Sequence, residues 1–84
     1  MPTVLRIGGL RVLVRTNDHP PPHVHVEDGM KRNDAKFELN RLGGSVVLKE
    51  NRGFSEHETR KIARELLPHL NMLLNAWENI HGSA

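Results

Sequence analysis

Eighty-four residues, 37% of them hydrophobic and 26% charged, describe a single small domain over 1–84 rather than a disordered tail. No apolar run is long enough to cross a bilayer, and the absence of cysteine excludes disulfides, thiolate zinc sites and thiol nucleophiles. With no signal-peptide pattern in the first residues either, a reducing cytoplasmic location is expected. The net charge is +2, and its excess lies in residues 1–54, which hold nine Lys/Arg against six Asp/Glu; residues 55–84 hold three against four. Such a balance is compatible with an anionic partner without requiring one. A chain this short builds one thin core, so self-association into a homodimer is a further expectation.

The first half, 1–50, reads as sheet. Thr3–Ile7 and Leu10–Thr16 flank Gly8-Gly9, a two-residue connection suited to a hairpin. That turn predicts Ile7 opposite Leu10, Leu5 opposite Val12 and Thr3 opposite Val14, an apolar set facing inward. On the other side Arg6 lies opposite Arg11 and Val4 opposite Leu13. Facing arginines are unfavourable unless solvent separates them or something negative sits between. His23–Glu27 alternates strictly, with Val24 and Val26 inward and His23, His25 and Glu27 outward. Ala35–Asn40 and Ser45–Glu50 complete a sheet of four to five short strands.

The second half, 55–81, reads as one helix. Ser55 and Glu58 have capping-box spacing, and Ile62, Leu66, Leu70, Leu73, Trp77 and Ile80 form one apolar stripe. Gly82 is a stop signal, and Pro68 must kink or split the helix. The predicted fold is α+β: an antiparallel sheet with one long, Pro-kinked C-terminal helix packed on one face. Trp77 and the leucine stripe should meet Leu5, Val12, Val24, Val26 and Phe37. The uncovered face then carries Arg6, Arg11, Arg15, His23, His25, Glu27, Lys36 and Glu38, and function is expected there.

Asn17-Asp18-His19-Pro20-Pro21-Pro22-His23-Val24-His25 is the unusual stretch. If every bond is trans, a polyproline II spacer puts His19 and His23 about 12 Å apart; a cis X-Pro bond would change this. His23 and His25 project from one face of a strand and can chelate a divalent metal, with Glu27 as a third ligand. A metal-free alternative uses His23 and His25 as general acid and base and Arg11 or Arg6 as the cation in RNA phosphodiester cleavage. Arg6, Arg11, Arg15 and Arg52 are the candidate anion- or RNA-binding residues. Arg52 stands beside a helix N-terminus, where plain capping is the simpler role for Glu50–Ser55.

Pro2–Gly9, Asn17–Val26, Glu50–Ser55 and Ala76-Trp77 resemble the motifs of a family of small bacterial proteins classed as a domain of unknown function. The resemblance implies a place in toxin–antitoxin modules and a small partner protein encoded nearby. It marks Asn17, Asp18, His19, His23, His25, Asn51 and Arg52 as motif positions; Glu27 and Pro68 fall outside the pattern. Three functions follow from the residues and the resemblance together. One is a toxin–antitoxin-type protein binding or cleaving RNA without a metal cofactor. The others are a non-enzymatic module for the neighbouring partner and a small protein using His23 and His25 to hold a divalent metal. RNA binding would weaken with salt, whereas an apolar dimer or partner contact through Val4 and Leu13 would not.

Overall fold

The computed structural model describes residues 3–30 and 32–82; Pro2, which opens the first motif, lies outside them. Five strands form one antiparallel sheet in sequence order: β1 (Thr3–Ile7), β2 (Leu10–Leu13), β3 (His23–Asp28), β4 (Asp34–Asn40) and β5 (Ser45–Arg52). Each strand pairs with the next, so the topology is a meander. The C-terminal segment runs as α1 (Glu56–Leu66), a 3-10 turn over Leu67–His69, and α2 (Leu70–His81). Pro68 has no N–H to continue the ladder and sits inside the 3-10 turn, which splits the helix where expected. Gly82 ends it at φ 80°, donating its N–H to the Glu78 carbonyl at 2.7 Å.

Inward residues of the strands meet the helical stripe in one core. Val12, Val14, Val24, Val26, Ala35, Phe37 and Leu39 pack with Phe54, Ile62, Leu66, Leu70, Leu73, Leu74 and Trp77. Leu5 is only partly buried against this cluster. The first hairpin departs from ideal register. Ile7 faces Leu10, Arg6 faces Arg11 and Leu5 faces Val12, but a bulge at Val4 places Thr3 opposite Leu13 instead of Val14. Val4 is partly buried against the core and Leu13 is 4% exposed.

On the uncovered face, register aligns Arg6, Arg11, Glu27, Asp34 and Arg52 in one row across all strands. Arg11 is bonded to Glu27. The negative group relieving the Arg6–Arg11 opposition is therefore this chain's own carboxylate. A second row runs Leu13, His25, Lys36, Glu50, and a third begins His23, Glu38, Val47.

The Glu50–Ser55 junction is structural. Asn51 accepts from the Phe54 N–H at 3.1 Å and donates to its carbonyl at 2.8 Å. Phe54 is thereby seated under the helix start, where Ser55 and Glu58 form the full capping box. Gly53 sits at φ 100°, and a Cβ there would collide with Asn33 Oδ1. Gly53→Ala is expected to cost about 2–3 kcal/mol through strain in this conformation, and Ser55→Ala about 1 kcal/mol through the lost cap. Urea unfolding of both variants checks the order; equal losses would show that Gly53 is not strained by a side chain.

Candidate functional site

β2 and β3 are antiparallel neighbours, so the connection from Val14 to Pro22 must return across their adjacent ends. It opens with a turn in which the Asp18 N–H donates to the Arg15 carbonyl at 3.3 Å, and Asp18 Oδ2 accepts from the Arg15 N–H at 3.4 Å. The turn folds Asp18 back over β3. Its Oδ2 lies 3.2 Å from His23 Nε2 and 3.1 Å from His25 Nε2. The Pro20–Pro21 bond is cis, which corrects the all-trans spacer. Pro22 then rejoins the sheet, its carbonyl accepting from Leu39 N–H at 2.9 Å.

Alternation along β3 sends Val24 and Val26 to the core and both imidazoles to the opposite side, but not into open solvent. His23 is 8% exposed. Its ring centroid lies 5.1 Å from that of Trp77 and 5.1 Å from that of His25. Trp77 in turn stacks on His81 at 3.9 Å. The last turns of α2 therefore set Trp77 against the first histidine and His81 against Trp77.

Hydrogen-bond chemistry constrains the protons. His23 Nδ1 lies 2.9 Å from the Pro21 carbonyl. A carbonyl only accepts, so Nδ1 carries the hydrogen and the neutral ring presents a lone pair at Nε2. That lone pair points at Asp18 Oδ2. A proton on His25 Nε2 satisfies the second contact to Asp18 and leaves the first unsatisfied. Either a further proton or a metal cation must lie among these three atoms, which are all within 4.8 Å of one another. A backbone carbonyl holding the far nitrogen is also how metal-binding imidazoles are oriented.

Asp18 and His25 both titrate below their ordinary values. Burial opposes ionised Asp18 most strongly, but His25, His23, the His25 hydrogen bond and the Arg15 N–H together hold its carboxyl below the ordinary value. Burial, reinforced by Arg15 and His23, pushes His25 below its ordinary value against the attraction of Asp18. A carboxylate beside a neutral imidazole is the state that binds cations.

The cluster opens into a groove of about 420 Å³ lined by Asn17, Asp18, His19, Pro20, Pro21, His23, His25, Lys36, Glu38, Lys49 and Glu50. The loop motif is thus gathered at one place. Arg6, Arg11, Arg15 and Arg52 do not line this groove, and Arg11 is engaged by Glu27. That ion pair keeps Glu27 out of the cluster, where Asp18 stands beside the two imidazoles. Asp18 carried a motif signal but no ligand spacing. The readable clue was a connection between adjacent antiparallel strands, whose polar residues must cross the strand ends.

Residues 9–78 match the family described as a domain of unknown function, DUF4160. The chain belongs to that family. The DUF4160 match takes in the proline–histidine loop, every strand except β1, and the helices as far as Glu78. No curated protein and no solved structure matches the chain significantly. No helix among the described residues is long and apolar enough to cross a membrane.

Acidification should destabilise the metal-free protein, because Asp18 and His25 both titrate lower in the fold than in the unfolded chain. The unfolded state then binds more protons, and stability falls as pH decreases. For His25 the loss begins as pH falls through 6.5, and for Asp18 through 3.8. In EDTA, the urea midpoint should drop between about pH 7.5 and 5.5 and drop less in His25→Gln. Parallel profiles would show that His25 does not carry this dependence.

Proposed function

We propose that this DUF4160 protein is a small metal-binding protein whose Asp18, His23 and His25 hold a divalent first-row transition metal. The supporting observation is the convergence of one carboxylate oxygen and two Nε2 atoms at 3.1 and 3.2 Å, with His23 held in the lone-pair-presenting tautomer by Pro21. Ligand atoms at about 2.0–2.1 Å from a metal stand about 2.9 Å apart at right angles and about 3.3 Å apart in a tetrahedron. The observed separations fall between these limits. Two histidines and one carboxylate leave coordination positions open, as zinc hydrolases and non-haem iron enzymes do. Those positions would face the groove.

Metal analysis of untagged protein is the direct test. Close to one equivalent of zinc, nickel or iron is expected per chain, lost in Asp18→Ala and in His25→Ala; less than a tenth of an equivalent removes the reading. Trp77 is the single tryptophan, and its ring lies beside His23. Titration with Ni²⁺ or Co²⁺ should therefore quench its emission with an endpoint at one equivalent, and the endpoint should vanish in Asp18→Ala.

A second reading retains the metal-independent ribonuclease, the RNA-directed activity expected of a toxin–antitoxin protein. It is supported by His23, His25 and Lys36 lining one groove, since two imidazoles and a cation can serve as acid, base and phosphate contact. Lys36 takes the place assigned to Arg11. Cleavage of end-labelled RNA in excess EDTA, abolished by His23→Ala, is the expected outcome under this reading. Cleavage only with added metal would return the activity to the metal centre.

A further inference from the structure

The cluster's neighbours across β4 and β5 point to what the groove takes. This step rests on the metal reading above. Lys36 lies directly opposite His25 on β4, and Glu38 directly opposite His23. Between β4 and β5 the register shifts, with Phe37 facing Leu48 while Lys36 faces Glu50. Lys49 is the extra residue of that bulge, and it lines the groove with Lys36. The irregularity therefore brings a second ammonium to the face that carries the imidazoles.

Neither ammonium is held tightly. Lys36 is paired at 3.3 Å with a Glu50 side chain that is 71% exposed, and Lys49 reaches Glu38 at 3.7 Å. Each pair has one well-exposed partner and is weak, and Glu50 is free to turn into solvent. Arg11, on the neighbouring strand, is committed to Glu27, and no arginine lines the groove. The groove thus offers lysine point charges rather than the planar arginine fork that suits carboxylates, and lysine point charges serve phosphate well. A dication on the cluster would stand beside the two ammoniums lining the same groove, and a phosphate group has the oxygens to meet all three.

We propose that the groove binds a phosphate group, with one oxygen on the metal held by Asp18, His23 and His25 and the others facing Lys36 and Lys49. The substituent would lie under the Asn17–Pro21 loop, in a space of the size that holds small ligands. Glu50 is displaced when the phosphate enters, whereas Glu38 stays beside Lys49 and disfavours a second negative charge.

Full-length protein loaded with Co²⁺ tests this, because its visible absorption reports ligands entering the open positions. Inorganic phosphate and a dinucleoside monophosphate should each perturb the bands saturably, while acetate at equal concentration should not. Lys36→Met should keep the Co²⁺ spectrum and weaken both phosphate titrations roughly tenfold, the loss expected for one charge-assisted contact. Tighter binding of the dinucleotide would identify a phosphodiester as the source, and tighter inorganic phosphate a free phosphate. Bands that ignore both phosphate compounds, or respond equally in Lys36→Met, overturn the proposal and leave the metal reading standing. Failure to form the Co²⁺ bands at all overturns both.

Discussion

The strict alternation of β3 is the constraint on which both halves of the molecule depend. Val24 and Val26 are fully buried against the helices, and their burial fixes His23, His25 and Glu27 on the other side of the sheet. A slip of one residue would exchange valines for imidazoles, ending the core and the cluster together. The hydrophobic term that drives folding is therefore also what aims the two rings. Because β3 pairs with β4 from His23 to Glu27 and with β2 from His25 to Asp28, His25 is aimed by strands on both sides and His23 by β4.

The loop from Val14 to Pro22 supplies what the strand cannot. Strand geometry provides two nitrogens on one face but no acceptor between them. The Arg15–Asp18 turn brings the carboxylate in from the sequence side, and the Pro21 carbonyl sets the His23 tautomer. Trp77 closes the far side of His23. Sheet, loop and helix each contribute one element, so the cluster appears only when all three are assembled. A site built this way loses little entropy on binding, because its rings are already packed before a ligand arrives.

Much of the architecture was legible. Strand parity, the capping box at Ser55, the interruption at Pro68 and the stop at Gly82 all follow from local chemistry, and each stands where the pattern put it. The outward direction of His25, Glu27, Lys36 and Glu38 also followed from period two. What escaped were the departures from ideal geometry. The bulge at Val4 shifts Thr3 onto Leu13, and the cis bond at Pro20–Pro21 cannot be distinguished from trans in the letters. Glu27 looked like a ligand because spacing alone placed it beyond His25. Its commitment to Arg11 depends on which β2 residue lies across from it, a fact of register rather than of local sequence. Asp18 was not foreseen beside the two imidazoles for the converse reason, since its place comes from a turn.

The charge pattern separates two tasks that composition blends. Arg6, Arg11, Glu27, Asp34 and Arg52 form a row of three cations and two carboxylates, and within it Arg11 is neutralised by direct contact with Glu27. One row over, His25 and Lys36 stand beside Glu50, whose side chain is loosely held at the open edge strand. Arg11 on the first row is held within the sheet by Glu27, whereas Lys36 on the second faces the groove and is matched by a carboxylate that can turn into solvent. Among the cations of residues 1–54, Arg11 is engaged by Glu27 and Arg41 by Glu78, while Lys36 and Lys49 face the groove beside the imidazoles.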